Sequence, residues 1–238
     1  GGSGALALQC AEWLGARDRG ATIVLLARRD EAALAGSPRG HRLAALREAG
    51  MRIVYRSVDV CDGPALEDCI ATIVATHGPL RGVLHCAGIV RDTYLIHKSE
   101  DDFRAVLAPK VAGTLNLDRA TRGQPLAFFA LFSSISGVLG NAGQADYAAA
   151  NAFMDAFAHR RAARVRAGER AGHSVSINWP LWRDGGMALD AELAALLREH
   201  HGLDAIASEA GMRALDRALA GAAQQVFVGT GAGEAVAR

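Results

Sequence analysis

Short, β-branched apolar runs alternate along the chain with longer segments whose apolar positions recur every three to four residues. Leu6, Cys10, Trp13 and Leu14 fall at helical spacing, and residues 22–27 follow as an apolar run of strand length. Further strands are predicted at 52–58, 82–85, 128–133, 175–179 and 225–228, the first run (22–27) being expected to be covered on both faces. Helices are predicted between them at 41–49, 64–76, 99–120, 146–166, 190–199 and 209–219. Asp62 ahead of Pro64, and Ser99 with Asp102 three residues on, read as helix starts. Residues 35–40 and 183–187 have the composition of surface loops. Strand and helix in regular alternation predict an α/β fold: a doubly wound parallel sheet with helices on both faces. Neither a repeat nor a linker interrupts the pattern, so residues 1–238 are read as one domain.

Composition adds exclusions. Half of the 238 residues are hydrophobic and 21% are charged, as in an ordinary globular protein. A net charge of +1 gives no electrostatic case for nucleic acid or an anionic membrane as partner. The apolar runs are too short to span a bilayer, and no export leader is visible, so a cytoplasmic location is expected. Cys10, Cys61, Cys69 and Cys86 lack CxxC spacing and are read as reduced, buried packing residues, with no metal. Among 26 lysines and arginines, only Lys98 and Lys110 are lysines.

The first chemistry lies at the start of the chain. Gly2, Gly4 and Ala7 fit G-x-G-x-x-A, a turn that lets a backbone approach a pyrophosphate at a helix N-terminus. Such a turn normally follows a buried strand, so the chain is expected to be a fragment lacking its first strand. The next strand ends in Ala27-Arg28-Arg29, where a binder of NAD places a carboxylate on the ribose hydroxyl; two arginines there suit the 2′-phosphate of NADPH.

The segment 131–151 is the richest. A strand runs into a small-residue loop and then a helix bearing Tyr147 and Asn151, which share a face at i and i+4. Ser134 stands at the strand end. Carbonyl reduction needs hydride on carbon and a proton on oxygen. A phenol supplies the proton if a nearby ammonium lowers its pKa, and a serine hydroxyl can hold the carbonyl oxygen.

These motifs resemble the short-chain dehydrogenase/reductase superfamily, a Rossmann-like fold, and within it the ketoreductase domains of modular polyketide synthases. In most of that superfamily a lysine follows the tyrosine by four residues. Here Asn151 stands there, and Lys110, in Leu107-Ala-Pro-Lys110-Val, takes the lysine's place, an exchange characteristic of the synthase ketoreductases. The resemblance extends through His85-Cys-Ala-Gly88, Gly143-Gln-Ala-Asp-Tyr147 and Ile177-Asn-Trp-Pro-Leu-Trp182 over essentially the whole chain. The wording of residues 140–147 and 178–182 is most similar to trans-acyltransferase assembly lines.

The resemblance implies Tyr147 as proton donor, Ser134 as carbonyl anchor, and Lys110 with Asn151 as tuning and relay groups. It implies an NADPH site made by Gly1, Gly2, Ser3, Gly4, Leu6, Arg28, Arg29, Asp59, Val60, Ala87 and Gly88. Asp92, Leu139, Gln144, Trp182 and Met187 would face the substrate and govern stereochemistry. Val90-Arg91-Asp92 keeps only the last aspartate of the Leu-Asp-Asp signature, and Leu139 replaces the tryptophan of L-hydroxyl enzymes, so a D-hydroxyl (B-type) product is expected. The implied partners are an acyl carrier protein with a phosphopantetheine-linked β-ketoacyl chain and other synthase domains. Two departures from the family pattern are expected: Ala7 for its last loop glycine, and a first strand cut off from this fragment. Two other readings stay open, a free-standing reductase of small ketones and a catalytically silent domain.

Overall fold

The computed structural model describes residues 1–185 and 204–229. Helix α1 (Ala5–Arg17) leaves the N-terminal glycine turn and leads to β1 (Thr22–Ala27), α2 (Pro38–Glu48) and β2 (Arg52–Ser57). Then come α3 (Gly63–His77), β3 (Gly82–His85), α4 (Glu100–Ala120), β4 (Phe128–Ser134) and the short α5 (Ser136–Leu139). The described order ends with α6 (Ala145–Arg166), β5 (His173–Trp179), α7 (Ser208–Ala220) and β6 (Gln225–Phe227). The expected helix at 190–199 and Met187 lie outside the described residues.

All strand pairs are parallel. β1 pairs with β2, and β3-β4-β5-β6 form a second sheet in that order. The two sheets meet where the glycine turn sits. Gly2 N donates to Leu26 O at the end of β1 (2.7 Å), and a Cβ on Gly1 would stand 2.6 Å from Ala87 N, just past β3. The turn therefore lies at the C-terminal strand ends, where parallel α/β sheets build their sites.

Both faces of the four-stranded sheet are covered. Ala130, Phe132, Val175, Ile177 and Trp179 pack with Cys10 of α1 and Leu215 and Ala218 of α7. Phe129 and Leu131 face the other way, onto Leu66 and Ile70 of α3, Leu117 of α4 and Met154 and Phe157 of α6. β4 and β5 are consequently buried almost end to end. β1 differs from expectation. It alternates, with Ile23, Leu25 and Ala27 buried under α1 and α2, and Val24 and Leu26 only partly covered on the opposite face.

The helix starts follow their caps. Asp62 accepts from Ala65 N, and Ser99 accepts from Asp102 N. α2 begins before the expected position 41, inside the predicted loop, because Ser37 caps it by accepting from Gly40 N and Pro38 opens its first turn. All four cysteines are free, but only Cys10 is fully buried; Cys61, Cys69 and Cys86 are partly exposed at element ends or on a helix flank. A buried ion cluster locks the far end of α6. Arg161 Nε and Arg170 Nε each donate to Asp118 Oδ1 at 2.9 Å, and Arg161 also reaches Ser174 Oγ. No described helix is long and apolar enough to cross a membrane.

Candidate active site

The C-terminal end of β4 delivers Ser134, and α6, starting eleven residues later, delivers Tyr147 and Asn151 from its first two turns. Ser134 Oγ accepts from Ser136 N (3.2 Å) and Ser136 Oγ (3.0 Å), which leaves its own proton to donate toward the Tyr147 phenol. The strand end is braced from β5. Asn178 Nδ2 donates to Ser133 Oγ and Ser134 O, each at 3.1 Å, and to Asp155 Oδ2 at 2.8 Å, while Ser133 Oγ donates to Asn151 O at 3.2 Å. Ser136 and Asn178 are site residues that sequence reasoning did not assign; their role depends on contacts across loops and neighbouring strands.

Lys110 enters from the middle of α4 and is buried. Its Nζ donates to Phe132 O at 2.8 Å and stands 5.6 Å from the Tyr147 ring centroid. Burial lowers its pKa to about 8, against the opposing pull of Cys86 and Asp155. Burial also raises the Tyr147 phenol, while hydrogen bonding by the Asn151 and Ser134 side chains pulls it back and the Asp92 charge adds to the rise. Asn151 is fully buried. Its Nδ2 donates to Tyr147 O at 2.7 Å, and its Oδ1 has no partner among the described residues.

His85 stands behind Lys110 at the end of β3. Its Nε2 lies 2.9 Å from Pro109 O, and burial, followed by the Lys110 charge, lowers its pKa to about 3, so it is neutral. With its ring neutral, Nε2 carries the proton and donates to Pro109 O, fixing α4 against β3. Gly88 lies close against Lys110: a Cβ there would stand 3.0 Å from Lys110 Cε.

The residues expected around a dinucleotide line one edge. Gly4 N donates to Gly1 O (2.8 Å), closing the turn, and Gly4 caps α1 without any side-chain acceptor or first-turn acid. The helix N-terminus is therefore left with free N–H groups and a positive field, which fits a pyrophosphate. A Cβ at Gly2 would meet Leu26 N at 2.6 Å, so the turn tolerates no larger residue there. Arg28 and Arg29 are exposed beyond β1, and neither guanidinium has a carboxylate partner among the described residues. Their carbonyls are held by Ser57 Oγ (3.1 Å) and Tyr55 OH (2.8 Å). Asp59 Oδ1 accepts from Cys61 N at 2.9 Å, and Asn116 Nδ2 of α4 donates to Val60 O and Cys61 O at 3.0 and 3.1 Å, which shapes the loop after β2. Leu6 is partly buried and packs against the core cluster formed with β4 and β5.

Of the residues expected to face a substrate, Gln144 donates through Nε2 to Asp92 Oδ2 at 2.9 Å, and Leu139 is 47% exposed at the end of α5. Trp182 is buried in the core, edge-on to Trp179 (ring centroids 4.9 Å apart), with Gly211 of α7 so close that a Cβ would lie 2.1 Å from its ring. A large aromatic at this point fills the space under α7.

The KR domain family profile matches residues 1–184. Polyketide synthase PksN of Bacillus subtilis (strain 168) is 42% identical over 228 residues, 96% of this chain and 4% of that protein. The crystal structure of a ketoreductase domain from the bacillaene assembly line matches with a TM-score of 0.94 at 39% identity, over 99% of this chain and 56% of that one. A short-chain dehydrogenase from Streptomyces avermitilis, 20% identical, shares the fold with a TM-score of 0.78 over 100% of this chain and 87% of its own. The chain spans 4% of the length of the curated relatives PksL and PksN. Lys110 in α4 and Asn151 in α6 thus sit in the structure of a ketoreductase domain, and the chain belongs to the KR domain family.

Proposed function

We propose that this chain reduces the β-keto group of an acyl thioester to the β-hydroxy thioester with NADPH, the acyl chain being carried on the phosphopantetheine arm of an acyl carrier protein during polyketide elongation. The observation that carries the reading is the convergence of Ser134, Tyr147, Asn151 and Lys110 at one strand end, beside an uncapped glycine turn. Gly1–Gly4 and the start of α1 would hold the pyrophosphate, Arg28 and Arg29 the 2′-phosphate, Asp59 and Val60 the adenine, and Ala87 and Gly88 the nicotinamide side. Bound there, the reduced nicotinamide supplies the hydride that adds to the β-carbon.

The chain's own residues handle the proton. The Ser134 hydroxyl donates to the carbonyl oxygen and orients it. The Tyr147 phenol then gives its proton to that oxygen, and the Lys110 ammonium stabilises the phenolate left behind. Asn151, bonded through Nδ2 to Tyr147 O, would belong to the relay that returns a proton to the phenol. Asp92, tied to Gln144, and Leu139 in place of an aromatic wall support the D-hydroxy product. The partners of the reaction are the carrier protein and the neighbouring synthase domains. The test is incubation of the full chain with NADPH and a β-ketoacyl carrier protein, followed by chiral analysis of the released acid. D-hydroxy acid formed in step with NADPH consumption is expected; L-hydroxy acid removes the stereochemical assignment, and an unreduced β-keto acid removes the reading.

A further inference from the structure

Lys98 is one of the two lysines of this arginine-rich chain, and no step above uses it. Its side chain is 1% exposed and forms an ion pair with Asp146, also 1% exposed, at 2.8 Å between Nζ and Oδ2. The same ammonium donates to Arg91 O. It therefore closes the loop of residues 91–98 on itself and fastens it to the first turn of α6. Asp146 is the neighbour of Tyr147, and its Oδ1 accepts from Tyr147 N at 2.9 Å. Two further bonds tie the same segments, Asp92 to Gln144 and Thr93 N to Gly143 O at 3.0 Å. On its other side Lys98 adjoins Ser99, the cap of α4, the helix that bears Lys110.

Most of the other ion pairs are made by arginines whose side chains are partly exposed. At residues 98 and 110 the chain instead places the compact ammonium, and both are buried next to Tyr147 or its helix turn. A point charge on a flexible stem fits a small polar pocket that a planar guanidinium would overfill. A buried pair of this kind contributes geometry more dependably than stability.

We propose that Lys98 is a positioning residue: its buried ion pair with Asp146 joins the start of α4 to the start of α6, and so holds Tyr147 in line with Lys110 and holds Asp92 against Gln144. The inference rests on the ketoreductase reading for its effect on turnover, but the clamp itself is a matter of structure. Losing it leaves the catalytic groups present and misaligned.

The experiment compares the full chain with K98M, which keeps the stem and removes the charge, and with D146N, which keeps the shape and carries the test should K98M not fold. Both are assayed for NADPH affinity, for kcat and KM with a β-ketoacyl N-acetylcysteamine thioester, for product configuration, and for hydrogen exchange at residues 91–98 and 143–147. The expected result is kcat/KM lowered about 10- to 100-fold, the scale of a misplacement near 1 Å. NADPH affinity stays within about twofold, a lesser excess of one hydroxyl configuration appears, and exchange rises in both segments. Parent-like kcat/KM and configuration in folded variants overturn the proposal, whatever happens to their melting temperature, because a purely structural pair would move only the latter. Should the parent not turn over, raised exchange in the variants upholds the clamp while the ketoreductase reading falls, and unchanged exchange overturns both.

Discussion

Replacing Lys110 by Met tests the electrostatic part of the mechanism, because it keeps the stem and deletes the charge. Lys110 Nζ stands 5.6 Å from the Tyr147 ring centroid. Taking that as the charge separation, with an effective dielectric constant of about 20, the ammonium stabilises a full phenolate by about 3 kcal/mol, or ~2 pKa units. Proton transfer is partial in the transition state, so kcat/KM at pH 7 should fall about 10- to 100-fold. The pH profile sharpens the test. The Lys110 pKa is lowered to about 8, so the parent holds its charge below that pH and loses it above. Parent kcat/KM should therefore decline above about pH 8, while K110M should lack that limb. Met also leaves Phe132 O without its donor, a cost of about 1 kcal/mol, so folding is checked by circular dichroism alongside. A K110M rate within twofold of the parent, or an alkaline limb that persists unchanged, refutes the assignment.

Other consequences follow from the same contacts. His85 is held neutral with its pKa near 3, whereas an unfolded histidine takes up a proton below about 6.5. The unfolded chain thus binds more protons between those values, and this site's contribution should fall by about 2 kcal/mol between pH 6.5 and 5, read by urea unfolding and flattened in H85Q. Asp118→Ala leaves Arg161 buried and unpaired and should cost about 3–5 kcal/mol in the same assay. Substituting Arg28 and Arg29 together by Ala should weaken NADPH binding about 10- to 100-fold and leave NADH within a few-fold, measured by fluorescence titration.

The strand–helix order was readable because parallel strands buried on both faces are continuous apolar runs, and most of the expected boundaries lie within two residues of those observed. The beginning of α2 was hidden because Gly36, Ser37, Pro38 and Gly40 have a loop's composition, while its buried residues, Leu43 and Leu46, come late. α5 is only four residues long and carries no period to detect. Ser134, Tyr147 and Asn151 were legible because a strand end and one helix face bring them together within a short span. Lys110 could be placed only through its family's exchange of lysine and asparagine, and the structure puts it beside Tyr147. Asn116, Asn178 and Lys98 bond to residues 44 to 56 positions away in sequence, and no local pattern marks them. The burial of Trp182 was likewise not legible, because it is the room under α7 beside Gly211 that receives the indole.

The central claim is that Tyr147 protonates a carbonyl that is being reduced. The most direct measurement is NADPH oxidation by the full chain with a β-ketoacyl N-acetylcysteamine thioester, compared between the parent and Tyr147→Phe, with cofactor affinity measured on both. The account predicts one β-hydroxy product per NADPH consumed by the parent, and a rate at least about 10²-fold lower in the phenylalanine variant at equal NADPH affinity. Turnover by Y147F within a few-fold of the parent, or no turnover by a parent that binds NADPH, would contradict it.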